Sequence, residues 1–178
     1  SLDGVIDAVS GYANGYGVNP EYRSIIQLKN KYNENNFAEV VKVTFNSNAI
    51  SLDEILKHFF ETHDPTQLNR QGNDIGTQYR SVILFSSETQ RKLAENILNE
   101  YQSLLFDAGY GKIVTLIEPL NNFFLAENYH QDYLKKNPNG YCPDLSTGVV
   151  FNKKEKDVLD NEDLLIGKQI LILDSQNY

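Results

Sequence analysis

Between residues 87 and 109 the apolar side chains recur at helical spacing, so that Leu93, Ala94, Ile97, Leu98, Tyr101, Leu104 and Leu105 share one face. Ser87 with Gln90 marks the start of this helix and Gly109 its stop. A long helix with a single apolar face must lie on other structure. The stretches on either side read as strands, 79–85 (YRSVILF) before it and 112–118 (KIVTLIE), ended by Pro119, after it.

The remaining periodic segments fit the same plan. Residues 4–13 alternate and run into the Asn14-Gly15 turn signal, which predicts a strand entering a glycine-rich loop. Residues 38–45 (AEVVKVTF) alternate more clearly and predict a second strand with one buried face. Ser51-Leu52-Asp53-Glu54 is a capping-box sequence, followed by Leu52, Ile55, Leu56, Phe59 and Phe60 at helical spacing as far as His63, before Pro65. A shorter amphipathic helix is expected over 126–136, before Pro138. Residues 14–37 have no sustained period and read as a long functional or mobile loop. The order strand, strand, helix, strand, helix, strand, helix predicts an α+β fold: a two-layer α/β sandwich with a mixed β-sheet, of ferredoxin-like or plait type. Residues 1–142 form the expected domain. Residues 143–178, polar over 152–163 and apolar only over 164–173, read as a C-terminal extension or linker whose apolar end suits a strand or docking onto another domain.

Composition limits the function. The 11 Tyr and 9 Phe supply large side chains for a core, and the net charge of −8 argues against general nucleic-acid binding, which needs a basic surface. No apolar run is long enough to span a bilayer, so a soluble domain with no membrane partner is expected; a cytoplasmic setting is taken as the expectation, although a signal peptide upstream of Ser1 would not be seen here. The single Cys excludes an intramolecular disulfide within these residues. With no Met at all and a start in mid-pattern, the chain reads as a piece of a longer protein.

Several polar residues are candidates for chemistry. The densest polar stretch, 69–80 (NRQGNDIGTQYR), contains Asp74 and Tyr79 and feeds directly into a strand, where scaffolds commonly hold reactive groups. Its other reading is a turn whose Asn and Asp satisfy their own backbone. Glu39 stands at the opening of a strand; if buried, its carboxyl would be a general acid near neutrality, and if solvent-facing, an ordinary surface charge. His130, with Glu127 and Asp132, has some metal-ligand spacing, although a polar helix surface is the commoner origin of such a pattern. Cys142 follows a turn-rich segment, and an exposed, mobile thiol of this kind suits disulfide exchange.

Taken in order, the segments GYANG (11–15), NPEY (19–22), AEV (38–40), HDP (63–65), RQGND (70–74), GTQYR (76–80), EP (118–119), YHQDYLKK (129–136) and NPNGYC (137–142) resemble the A-type peptide-methionine sulfoxide reductases. The resemblance implies a two-layer α/β fold that reduces the S epimer of methionine sulfoxide, free or in oxidised proteins, without cofactor or metal. It assigns the proton-donating acid to Glu39, the hydrogen-bond donors to the sulfoxide oxygen to Tyr22 and Tyr79, and the positioning of water and polar substrate groups to Asp74. It makes Cys142 the resolving thiol, with thioredoxin as the reductant of the resulting disulfide. Phenols suit the donor role because they donate while neutral. The nucleophilic Cys of this family lies in a Gly-Cys-Phe-Trp segment, expected just upstream of Ser1. The family's Gly-His before the Ala-Glu pair is Asn36-Phe37 here, and the loop after Tyr22 is longer than usual. Two other functions compete: a non-catalytic domain that binds methionine sulfoxide, and a metal-assisted hydrolase built on Asp74, His130 and Glu127.

Overall fold

The computed structural model describes residues 2–138, 145–151 and 168–172. Its strands are β1 (Val5–Ala13), β2 (Ala38–Phe45), β3 (Arg70–Gln71), β4 (Asp74–Ile75), β5 (Val82–Phe85), β6 (Leu116–Pro119), β7 (Phe123–Leu125) and β8 (Lys168–Ile172). Its α-helices are α1 (Tyr22–Ile25), α2 (Leu52–Glu61), α3 (Glu88–Asp107) and α4 (Tyr133–Lys136). Six strands form one mixed sheet in the order β6-β5-β8-β2-β1-β7, while β3 and β4 make a separate two-stranded hairpin. Within the large sheet β5 and β6 are parallel and the other pairs are antiparallel. The parallel pair is the one joined by α3, because parallel neighbours need a crossover long enough to return the chain to the same end.

The two long helices, α2 and α3, form where the sequence places them. Ser51 Oγ accepts the Glu54 amide at 3.1 Å, and the Glu54 carboxylate accepts the Ser51 amide at 2.9 Å, closing the capping box of α2. Ser87 Oγ caps α3 through the Gln90 amide at 3.3 Å. Past the end of α3 stands Gly109 at φ +86°, a left-handed conformation that side chains disfavour. The stripes of the two helices meet Val41, Val43 and Phe45 of β2 and Val82, Ile83 and Leu84 of β5 in one core. Burial of side chains such as Phe59, Phe60 and Leu105 contributes about 2–3 kcal/mol each. A second, smaller cluster joins Tyr12, Ile25, Phe37 and Ala126, with Tyr22 and Phe124 packed against it. No helix among the described residues is long and apolar enough to cross a membrane.

Four expectations need correction. The helix over 126–136 reduces to α4, because Asp132 sits at φ +52° and the Gln131 side chain is engaged elsewhere. Gln131 Oε1 accepts the Ser10 amide at 2.9 Å and its Nε2 donates to the Ser10 carbonyl at 2.8 Å, so it extends the pairing of β7 along β1. The strand over 79–85 starts only at Val82, after a 3₁₀ turn at Thr77–Tyr79. The strand over 112–118 is shifted to Leu116–Pro119, since the amides of Ile113 and Val114 go to the Gln102 side chain and the Pro65 carbonyl instead. Two parts of the segment 143–178 pack with the domain rather than beyond it. Phe151 stacks on Tyr101 at 4.9 Å, and Lys168–Ile172 pairs with both β2 and β5, in the middle of the sheet. The strand lies within the apolar stretch 164–173 that the sequence marked as suited to one, and it is stabilised by two ladders.

Candidate active site

Glu39 is the second residue of β2, and its partner across the ladder is Tyr12 of β1. Tyr22 opens α1, whose capping box is formed by Glu21 and Ser24. Tyr79 closes the 3₁₀ turn, and Asp74 lies on β4 of the small hairpin. That hairpin reverses through Gly72 at φ +57°, where a Cβ would come within 2.6 Å of the Leu145 side chain. Gly15 is fixed by packing: a Cβ there would meet the Phe37 ring at 2.3 Å. Cys142 lies outside the described residues.

The structure brings Tyr22, Glu39, Asp74 and Tyr79 into one electrostatically coupled cluster. Glu39 is half-buried as a residue, but its Oε1 is closed off from solvent and has no hydrogen-bond partner among the described residues. Burial above all, then repulsion from Asp74 and Glu127, pushes its carboxyl up to about 8. The Glu39 carboxyl is therefore buried rather than solvent-facing. Burial, with the nearby Glu39 carboxyl, pushes both the Tyr22 and the Tyr79 phenols up, so both remain protonated at any physiological pH. The two phenols lie near enough for each to influence the other's ionisation. Burial also raises the Asp74 carboxyl.

A second layer supports this cluster. Tyr12 Oη donates to Glu127 Oε2 at 2.6 Å, and the Tyr22 amide donates to Glu127 Oε1 at 2.8 Å. Burial works against ionisation of Glu127, yet these donors hold its carboxylate below the usual range. The His130 ring packs tilted against Tyr22 at 4.7 Å, with Nε2 3.9 Å from Glu127 Oε2, and burial lowers its tendency to protonate despite that carboxylate. The ligand-like spacing of Glu127, His130 and Asp132 has another origin. Glu127 is committed to Tyr12 and Tyr22, Asp132 pairs with Lys135 at 2.6 Å, and no metal-ligating group of three or more appears among the described residues. The support roles of Tyr12 and Glu127 were not foreseen. The sequence placed Tyr12 only within the strand expected over 4–13 and Glu127 only in a ligand-like spacing.

This arrangement places a carboxylic acid that is still protonated near neutrality beside two neutral phenol donors, which suits protonation and hydrogen bonding of a departing oxygen. An apolar wall adjoins it, where Phe37 meets Phe124 edge-to-face at 5.8 Å.

The peptide methionine sulfoxide reductase family matches residues 1–161. Peptide methionine sulfoxide reductase MsrA of Corynebacterium kroppenstedtii is 45% identical over 153 residues, which are 83% of this chain and 67% of that protein. Mitochondrial peptide methionine sulfoxide reductase of Homo sapiens is 46% identical over 148 residues, 83% of this chain and 61% of that protein. Among solved structures, the reduced form of Mxr1 from Saccharomyces cerevisiae superposes with a TM-score of 0.71 at 38% identity, covering 84% of this chain and 80% of that one. Methionine sulfoxide reductase A of Corynebacterium diphtheriae gives 0.70 at 40% identity, covering 83% and 71%. The chain belongs to the peptide methionine sulfoxide reductase family of enzymes. It spans between 61% and 69% of the lengths of the named relatives it matches in sequence.

Proposed function

We propose that this chain carries the acid-and-donor part of the active site of an enzyme that reduces methionine-S-sulfoxide, free or in oxidised proteins, to methionine. The observation that carries the reading is the closed-off Glu39 Oε1 on a carboxyl pushed up to about 8, coupled to the Tyr22 and Tyr79 phenols. In the proposed step a thiolate attacks the sulfoxide sulfur, Glu39 gives its proton to the oxygen, and Tyr22 and Tyr79 hold that oxygen by hydrogen bonds. The substrate leaves as the thioether and the thiol becomes a sulfenic acid. Asp74 positions water and polar substrate groups. Cys142 then attacks the sulfenic sulfur, water leaves, and thioredoxin reduces the disulfide by exchange. The scaffold under this site is read as a ferredoxin-like plait, with β7 added at its edge and β8 within it, in a cytoplasmic protein.

The sequence has one Cys, and this reading uses it for recycling, so the attacking thiol is assigned to residues ahead of Ser1. The same count favours a second reading, in which the chain binds methionine sulfoxide and does not reduce it. Turnover with excess dithiothreitol separates the two. Under the first reading the 178 residues alone bind methionine-S-sulfoxide without reducing it. Joining a helix-opening Cys segment ahead of Ser1 confers reduction, and Cys142→Ser then spares the first turnover while abolishing recycling by thioredoxin. Failure of the extended chain to reduce the sulfoxide while still binding it would leave only the binding reading.

A further inference from the structure

Asn36 stands where the sequence departs from the family's Gly-His, two residues before β2 begins, and it is only 5% exposed. Its carboxamide nitrogen donates to the Ile25 carbonyl at 3.1 Å and, at 3.4 Å each, to the Asn30 carbonyl and to Gln78 Oε1. Two amide hydrogens thus serve three acceptors. Its own carbonyl accepts Arg80 Nη1 at 3.0 Å, and the same Nη1 donates to the Thr77 carbonyl at 2.9 Å. Gln78 and Arg80 are themselves buried.

These bonds join three separate segments. Ile25 ends the helix that Tyr22 opens, Thr77 and Gln78 form the turn that Tyr79 closes, and Asn36 leads into the strand that bears Glu39. We propose that Asn36 is a positioning residue, whose buried carboxamide and carbonyl lock the Tyr22 helix, the Tyr79 turn and the Glu39 strand in one register so that both phenols reach the sulfoxide oxygen. Asn36 touches neither the substrate nor the reacting atoms. It acts through Tyr22 and Tyr79, and the reason it matters is geometric: two donors on different segments meet one oxygen only if their backbones are held to within a fraction of an ångström. A glycine at this position would keep the backbone link to Arg80 and lose every bond made by the carboxamide.

The inference rests on the reading of the site as a sulfoxide-binding one, and the test keeps the two apart by a measurement that needs no ligand. The 178-residue chain, labelled with ¹³C at the tyrosine ring carbon bearing the hydroxyl, is compared with Asn36→Gly and Gln78→Met, at a temperature where circular dichroism shows each variant folded. In Asn36→Gly the Tyr22 and Tyr79 signals should both move as the two segments lose their common register, and methionine-S-sulfoxide should bind roughly ten- to a hundred-fold more weakly. Gln78→Met, which removes one acceptor from the other side, should move the Tyr79 signal more than the Tyr22 signal. A role confined to stability would lower the melting temperature and leave these signals in place. Unchanged tyrosine signals in folded Asn36→Gly, with binding within about two-fold of the wild type, would overturn the inference and spare the functional reading. If the wild-type chain bound no methionine-S-sulfoxide, the functional reading would fall, and the tyrosine signals alone would still decide whether Asn36 sets their register.

Discussion

Replacing Glu39 with Gln keeps the shape of a buried side chain and removes its ability to hold or release a proton. The carboxyl goes from an ordinary value of 4.5 to about 8 on folding, mainly through burial and next through Asp74 and Glu127. At pH 7 about nine in ten molecules therefore keep the proton, which a thiol-driven reduction needs. The same shift has a cost in stability with a definite sign. Between the unfolded and folded values the native state binds more protons than the unfolded one, so unfolding free energy falls as pH rises through that window. At about 1.4 kcal/mol per pH unit, the wild type should lose on the order of 4–5 kcal/mol between pH 4.5 and 8 that Glu39→Gln does not lose. Urea unfolding of both proteins from pH 5 to pH 9 measures this directly. The stability of Glu39→Gln relative to wild type should climb through the window and level off above it. A difference that stays flat across the range would show a solvated Glu39 carboxyl and refute the argument for its acid role.

The other predictions follow from neighbouring contacts. Tyr79→Phe or Tyr22→Phe removes one donor to the sulfoxide oxygen and should weaken methionine-S-sulfoxide binding by about 1–3 kcal/mol, read by calorimetry; unchanged affinity in both would remove the phenols from the site. Glu127→Gln removes one of the charges that repel the Glu39 carboxylate, so the Glu39 titration should move down from about 8, as followed by carboxyl ¹³C shifts. Phe151→Ala opens a gap against Tyr101 and Lys57 in the core and should cost about 3 kcal/mol of stability. A loss near zero would return residues 145–151 to the status of an extension.

The parts of the fold that were legible are those where one face is buried over many residues. Val41, Val43 and Phe45 alternate because their strand lies on the helices, and the stripe from Leu93 to Leu105 is periodic because it covers that same core. Short elements held by distant partners left no such trace. β7 has three residues and is fixed by β1 and by the Gln131 side chain, while β8, expected as a strand from its apolar stretch, owes its place between β2 and β5 to partners far along the chain. The four-residue α1 inside the long loop owes its position to the Glu127 carboxylate and the Asn36 carboxamide, contacts that no local pattern encodes. The site divides the same way. Glu39, Tyr22, Asp74 and Tyr79 were found through ordered motifs, and the structure brings these four together. The support roles of Tyr12 and Glu127 were not legible, because they arise only when β1 and the turn before α4 meet.

The central claim is that Tyr22, Tyr79 and the protonated Glu39 together form a pocket for one sulfoxide epimer. The most direct measurement is a titration of the 178-residue chain at pH 7 with methionine-S-sulfoxide and, separately, with the R epimer, following the tyrosine and Glu39 carboxyl ¹³C signals. The S epimer should shift the Tyr22, Tyr79 and Glu39 signals together, saturably, and the R epimer should leave them where they are. Equal shifts with both epimers, or saturable binding that leaves all three signals unmoved, would contradict the account.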